Sequence, residues 1–172
     1  SLLNLKKNNS DSDEVKEALE ACRSRVYSMS LVHEKFFAQN NPTGIDFTRY
    51  ARDLIAAVTD SFGGADSVEV QMEANELFLD VTQAIPCGLI LNELLTNSFK
   101  HAGPQTQRLL IRIVLMKEGD EALIQYGDNG PGFEPSKITS QGAMGLELIH
   151  SLCDQLDATC DYKRKRKHQF SF

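Results

Sequence analysis

The densest chemistry in the chain lies in Leu89-Ile90-Leu91-Asn92-Glu93-Leu94-Leu95-Thr96-Asn97-Ser98-Phe99-Lys100-His101. On a helix, positions 93, 97, 100 and 101 fall within an arc of ~100°, so one stripe of an otherwise apolar helix carries a carboxylate, an amide, an ammonium and an imidazole. Burying that stripe unpaired would cost about 1–3 kcal/mol for each unsatisfied polar group, so it faces water or a ligand. The combination suits nucleotide phosphates. The Asn97 amide oxygen can hold Mg²⁺, a cation that takes oxygen ligands and keeps several waters. Lys100 and His101 can meet phosphate oxygens, and Glu93 can accept a proton near a transferred group. The plain alternative is a solvated helix face.

Two more segments carry chemistry. Tyr126-Gly127-Asp128-Asn129-Gly130-Pro131-Gly132-Phe133 closes an expected strand. Its glycines let the backbone turn sharply and approach a flat ligand. A carboxylate there can accept hydrogen bonds from an exocyclic amine, which distinguishes adenine from guanine. Asp-Asn-Gly is also an ordinary hairpin turn. Gly142-Ala143-Met144-Gly145-Leu146-Glu147-Leu148-Ile149 places glycines ahead of an amphipathic helix. The first amides of that helix could meet an anion, or the glycines could simply start it.

Periodicity indicates the elements that must hold these segments. The apolar helix has Pro86 in its first turn and Gly103-Pro104 as its stop. Ile111, Ile113 and Leu115 alternate, as do Ala122, Ile124 and Tyr126, giving adjacent strands joined around Gly119-Asp120. Gly127 to Gln141 is a loop, Gly145 to Leu156 a helix, and Ala158 to Tyr162 with His168 to Phe172 a closing hairpin. Upstream, Asp46 can cap a helix carrying Phe47, Tyr50, Leu54, Val58 and Phe62, which stops at Gly63-Gly64. Val68, Val70 and Met72 alternate as a half-buried strand. The implied fold class is α+β, a two-layer sandwich of a mixed β-sheet with helices on one face.

The first forty residues differ. After Leu2, Leu3 and Leu5 comes a polar loop from Lys6 to Asp13, and then Val15, Leu19, Cys22, Val26, Met29, His33 and Phe36 alternate spacings of four and three. That is the a/d seam of a helix packed along its length. It either lies on its own domain or forms an antiparallel hairpin with the upstream leucines and dimerises. Asn40-Asn41-Pro42-Thr43-Gly44 ends it, dividing a helical dimerisation arm, 1–40, from a body, 41–172.

Composition excludes several classes. With 18 basic and 24 acidic residues in 172, the net charge of −6 disfavours nucleic acid as a partner. The longest uncharged apolar stretches, such as Ala84 to Asn92, fall short of the ~20 residues of a membrane span, and no signal peptide is visible, so the expected location is cytoplasmic without membrane contact by this segment. Cys22, Cys87, Cys153 and Cys160 form no CxxC pair and read as buried, reduced thiols. A start without methionine reads as a piece of something longer.

Glu93-x-x-x-Asn97-x-x-Lys100-His101, Asp128-x-Gly130-x-Gly132 and Gly142-x-x-Gly145-Leu146 resemble the N box and the two glycine boxes of the GHKL ATPases, most closely those of sensor histidine kinases. Ser1-Leu2-Leu3-Asn4-Leu5 and Met29-Ser30-Leu31-Val32-His33-Glu34 resemble the dimerisation and histidine-phosphotransfer hairpin of the short-lid subfamily related to the HWE kinases. The resemblance spans nearly the whole chain and implies a Bergerat-like ATP-binding fold. It further implies Mg·ATP as substrate, γ-phosphoryl transfer to a histidine, relay to a response regulator receiver domain, and homodimerisation through the N-terminal helices. By that resemblance Glu93 is the catalytic carboxylate that polarises the attacking imidazole. Asn97 coordinates Mg²⁺, Lys100 and His101 contact phosphates, and Asp128 binds the adenine amino group. Gly130 and Gly132 frame the adenine pocket. Gly142 and Gly145 end the lid, with Met144 and Leu146 beside them in the ATP site. Rival readings are a GHKL serine kinase of the anti-sigma-factor type and a non-catalytic ATP-binding dimerisation switch.

Three departures from the family pattern stand out. The chain contains no Trp, and so lacks the Trp-x-Glu element of the HWE kinases proper. The phosphoacceptor is expected upstream of Ser1, because His33 sits on the helix seam, where histidines more often pack than react. Lastly, Lys163-Arg164-Lys165-Arg166-Lys167 replaces the usual glycines near the final strands and reads as a solvated hairpin turn.

Overall fold

The structure, a computed structural model, describes residues 13–38, 44–63, 68–119, 121–132, 140–164 and 168–171. Helix α1, Asp13–Ala38, starts on acidic residues as its sequence implies. It lies along the body, but not through its apolar seam. Val15, Val26 and Met29 are 45%, 50% and 45% exposed, and Cys22 is exposed too. The face turned inward carries Ser24, Arg25, Ser28 and Leu31. Both readings of the seam therefore survive: the helix rests on its own domain and still presents an apolar stripe outward. The upstream leucines and the polar loop before Asp13 lie outside the described residues.

Helix α2, Phe47–Ser61, is capped by Asp46, whose Oδ1 accepts the Arg49 amide at 2.9 Å, and it ends at Gly63 with φ of 97°. Its apolar face is buried, except that Phe62 stays 40% exposed and stacks on Phe99 with ring centroids 4.9 Å apart. Tyr50 ties three helices together. Its hydroxyl lies 2.7 Å from Ser28 Oγ on α1, and it crosses the next helix at Gly88, where a Cβ would stand 2.3 Å from that hydroxyl. Two short strands, β1 (Ile45–Asp46) and β3 (Phe78–Leu79), pair antiparallel; neither is long enough to show a period in the sequence.

Helix α3, Val81–Asn97, begins earlier than the proline placement implied. Asp80 and Gln83 form a reciprocal capping box, with Asp80 Oδ1 accepting the Gln83 amide at 2.9 Å. Pro86 thus sits in the second turn, where its missing N–H deprives only the Thr82 carbonyl, on an exposed residue that water can serve. The helix continues into a π-helical turn, Ser98–Ala102, and a short 3₁₀ turn, Gly103–Gln105.

The main sheet runs β2-β4-β5-β7-β6, built from Val68–Ala74, Leu109–Glu118, Glu121–Asp128, His168–Ser171 and Asp161–Arg164. β2 and β4 are parallel, which requires the crossover that α3 supplies; the other pairs are antiparallel. Leu109, Ile111, Ile113 and Leu115 alternate inward against Ile90, Leu91 and Leu95 of α3, while Leu110 and Arg112 point out. This is the α+β mixed-sheet sandwich expected. The basic run begins in β6 at Lys163, and residues 165–167 lie outside the described ones.

Two further expectations change. Helix α4, Ser140–Gln155, starts five residues before Gly145, so Gly142 and Gly145 lie inside it rather than ahead of it. Cys153 and Cys160 form a disulfide, with Cα atoms 6.4 Å apart. Asp157, at φ of 52°, reverses the chain after α4, and the Ala158 amide donates back to the Cys153 carbonyl, which brings Cys160 alongside. That pairing depends on a chain reversal and has no spacing signature. Cys22 and Cys87 remain free; Cys87 is buried, and burial pushes its thiol up to about 12.

Candidate active site

Glu93 lies in the last part of α3 and is 7% exposed. Arg25 of α1 reaches it in a two-pronged ion pair, Nε to Oε1 at 2.8 Å and a terminal nitrogen to Oε2 at 3.0 Å. The hydrogen bond to Glu93 raises the Arg25 pKa against the opposing effect of burial. One residue earlier on each helix, Ser24 Oγ donates to Asn92 Oδ1 at 2.8 Å. Nothing in the hydrophobic pattern points to Arg25, which lies off the apolar seam.

α4 closes on the same stripe. A Cβ at Gly145 would lie 3.3 Å from Glu93 Oε2 and 3.8 Å from Asn97 Nδ2, so the helix backbone rests directly on the carboxylate and the amide. Glu93, Asn97 and Gly145 are thus brought together. Leu146 packs against the core beside them, and in the same helix Met144 immediately precedes Gly145 while Gly142 lies about a turn earlier. The helix amides that lack intrahelical partners belong to the residues from Ser140 onward, ahead of Gly145.

The stripe does not continue past Asn97. The wider π turn shifts register, so half-buried Lys100 lines a cavity of about 440 Å³ with Thr96, Tyr27 and Phe62, and His101 is exposed. π-helical turns inside α-helices frequently mark functional sites. Here the turn also aims Ser98 inward.

Asp128 ends β5 opposite Ile111 of β4. Its Oδ2 accepts from Ser98 Oγ at 2.6 Å and its Oδ1 from the Gly130 amide at 2.8 Å. Asp128-Asn129-Gly130 does not close a hairpin: Asn129 fastens the departing chain to the start of β4, accepting from the Leu110 amide and donating to the Arg108 carbonyl, both at 2.9 Å. Gly130 is demanded by contact, because a Cβ there would stand 2.3 Å from Ala102 Cβ and 2.9 Å from Asp128 Oδ1. Gly132 takes φ of 71°, a conformation that suits glycine. Ser98 and Tyr126 sit within the chemistry-bearing segments of the sequence, yet nothing in their spacing distinguishes them.

Residues 82–172, more than half of the chain, match the family described as histidine kinase-, DNA gyrase B-, and HSP90-like ATPase. Residues 1–62 match a family described as histidine kinase. No curated protein matches the sequence at a significant level. Among solved structures, the histidine kinase domain of the blue-light activated histidine kinase EL346 from Erythrobacter litoralis superposes with a TM-score of 0.76 at 19% identity, over 88% of this chain and 72% of that one. A longer structure of the same kinase gives 0.76 at 17% identity, over 98% of this chain, which spans 56% of its length. The Acinetobacter baumannii histidine kinase AdeS gives 0.63 at 15%, over 92% and 78%. The chain belongs to the histidine kinase-, DNA gyrase B- and HSP90-like ATPases, a family defined by an ATP-binding domain. With a histidine-kinase module ahead of that domain, it is a histidine kinase of the GHKL type, an ATP-dependent protein-histidine kinase.

Proposed function

We propose that Mg·ATP binds between α3, the end of β5 and the start of α4, and that its γ-phosphoryl passes to a histidine for relay to a response regulator receiver domain. The observation that carries this reading is the convergence of Glu93 and Asn97 on Gly145, with Asp128 fixed against the next turn of the same helix chain. Asp128 accepts the adenine amino group, framed by Gly130 and Gly132. Asn97 offers its amide oxygen to Mg²⁺. Among the described residues no group of three or more His, Cys, Asp or Glu could hold a metal by itself. One amide oxygen, completed by phosphate oxygens and water, nevertheless fits the habit of this cation. Mg²⁺, when bound, neutralises charge on the phosphates. Gly142, Met144 and Leu146 complete the phosphate end of the site; Lys100 and His101, which the π turn carries off the Glu93–Asn97 stripe, would join it only by reaching back with their side chains.

Glu93 orients and polarises the acceptor imidazole, and catalysis is mostly positioning. The Arg25 guanidinium occupies both carboxylate oxygens of Glu93, so Arg25 has to withdraw before an acceptor imidazole can hydrogen-bond there. The exposed seam of α1 supports a homodimer through the arm, 1–40, with 41–172 as the ATP-binding body. No helix among the described residues is long and apolar enough to cross a membrane; we read the segment as working in the cytoplasm.

Titration with Mg·ATP tests the first half of the reading: wild type binds, and Asp128→Asn binds at least tenfold more weakly. The second half needs labelled ATP and a longer chain that restores the upstream helix. An acid-labile phosphoproduct that disappears in Glu93→Ala is expected. An acid-stable product would indicate a serine kinase instead, and binding without transfer would indicate a switch.

A further inference from the structure

Behind Asp128 stands a chain of two buried hydroxyls. Tyr126, 3% exposed, donates through its hydroxyl to Ser98 Oγ at 2.8 Å, and Ser98, 2% exposed, donates to Asp128 Oδ2 at 2.6 Å. The direction of this chain is fixed. Burial holds the Tyr126 phenol far above its ordinary pKa, so it keeps its proton, and Ser98 Oγ is its hydrogen-bond partner. A serine hydroxyl has one proton and two lone pairs. With one lone pair receiving the tyrosine proton, Ser98 has its own proton left to give, and it goes to Asp128. The Gly130 amide occupies the other carboxylate oxygen at 2.8 Å. The backbone cannot drift either, because Gly130 is in contact with Ala102 of the π turn. Asp128 is therefore held in one orientation, and the lone pairs it has left can only accept.

We infer that Ser98 and Tyr126 are positioning residues that set the nucleobase selectivity of the site, by holding Asp128 as an acceptor for a 6-amino purine and against a 6-oxo purine. The inference rests on the reading of this pocket as a nucleotide site. A pocket that hydrogen-bonds a donor strongly rejects the analogue that lacks it, because its own buried group is then left unpaired. That rejection weakens if the carboxylate can swing.

The test is equilibrium binding of Mg·ATP and Mg·ITP to the full chain, in wild type, Ser98→Ala, Ser98→Thr, Tyr126→Phe, Asp128→Asn and the double variant Ser98→Ala with Tyr126→Phe. Wild type prefers ATP. In Ser98→Ala the ATP-to-ITP preference falls by about ten- to a hundred-fold, the worth of one hydrogen bond to a charged group, mainly through weaker ATP binding. Ser98→Thr keeps the hydroxyl and restores the preference, while Tyr126→Phe gives a smaller loss. Ser98→Ala leaves the Tyr126 hydroxyl buried without an acceptor; the double variant removes that orphan and serves if the single variant does not fold. A merely structural role for Ser98 would weaken both nucleotides together and leave the ratio alone. A folded Ser98→Ala or double variant with the wild-type ratio overturns the inference. If Asp128→Asn keeps the wild-type ratio, or wild type binds neither nucleotide, the nucleotide reading itself has failed. If Asp128→Asn loses the ratio and Ser98→Ala does not, only the role of the hydroxyl chain falls.

Discussion

Replacing Arg25 with alanine tests the contact between the arm and the Glu93 carboxylate. Removing one partner of a fully buried ion pair costs about 3–5 kcal/mol, whereas an exposed pair is worth about 0–1 kcal/mol. The Arg25 side chain is 27% exposed and that of Glu93 9%. The pair lies between these limits, so Arg25→Ala should cost about 2 kcal/mol. For a chain of this size that lowers Tm by roughly 4–8 °C. Part of that loss would come from the arginine stem, so the decisive quantity is the coupling in a cycle of Arg25→Ala, Glu93→Ala and the double variant. Urea unfolding at constant m-value should give about 1–3 kcal/mol for residues that share a network.

The same substitution should act oppositely on catalysis. With the guanidinium gone, Glu93 is free to accept from an imidazole, so phosphoryl incorporation from labelled ATP in a chain carrying the upstream helix should rise several-fold while stability falls. A purely structural contact would lower both. A coupling below about 0.5 kcal/mol would refute the contact itself, since that is the scatter between independent sites.

Two further outcomes follow from the packing. Gly88→Ala drives a Cβ to 2.3 Å from the Tyr50 hydroxyl and should cost about 1–3 kcal/mol of unfolding free energy, partly recovered by Tyr50→Phe, which removes the clashing oxygen. The second concerns pH. Burial raises the Cys87 thiol to about 12 from an ordinary value of 9.0, so the folded state keeps a proton that the unfolded chain releases. Its contribution is fully present below pH 9 and is lost as pH rises towards 12. Stability measured across that window should fall more steeply in wild type than in Cys87→Ala; parallel profiles would contradict the burial of the thiol.

How far the site could be read from sequence depends on which period governed each residue. Glu93 and Asn97 were legible because both lie on the α-helical part of α3. Lys100 and His101 were placed on the same stripe by the same arithmetic, and the π turn from Ser98 broke it, since a five-residue turn leaves no trace in hydrophobic spacing. Gly142 and Gly145 looked like a helix approach because glycine is a poor helix former. Close packing on Glu93 and Asn97 overrides that preference and keeps Gly145 inside α4. The arm showed its apolar seam plainly. Beside Leu31, its contact with the body is made by Ser24, Arg25 and Ser28, polar residues that apolar periodicity does not reveal.

That blindness has a physical root. A buried polar group needs a partner, but the sequence displays donors and acceptors without saying which will meet. Arg25 finds Glu93 across 68 positions, and Ser98 finds Asp128 across 30. Among the described residues, three buried side-chain atoms lack a hydrogen-bond partner: Thr59 Oγ1, Asn92 Nδ2 and Thr96 Oγ1. Two of them flank Glu93 on α3, and Asn92 belongs to the residue that Ser24 of the arm contacts. At about 1–3 kcal/mol for each unsatisfied group, Asn92 and Thr96 place a cost on α3 beside the Arg25–Glu93 pair, where the sequence shows two ordinary polar residues.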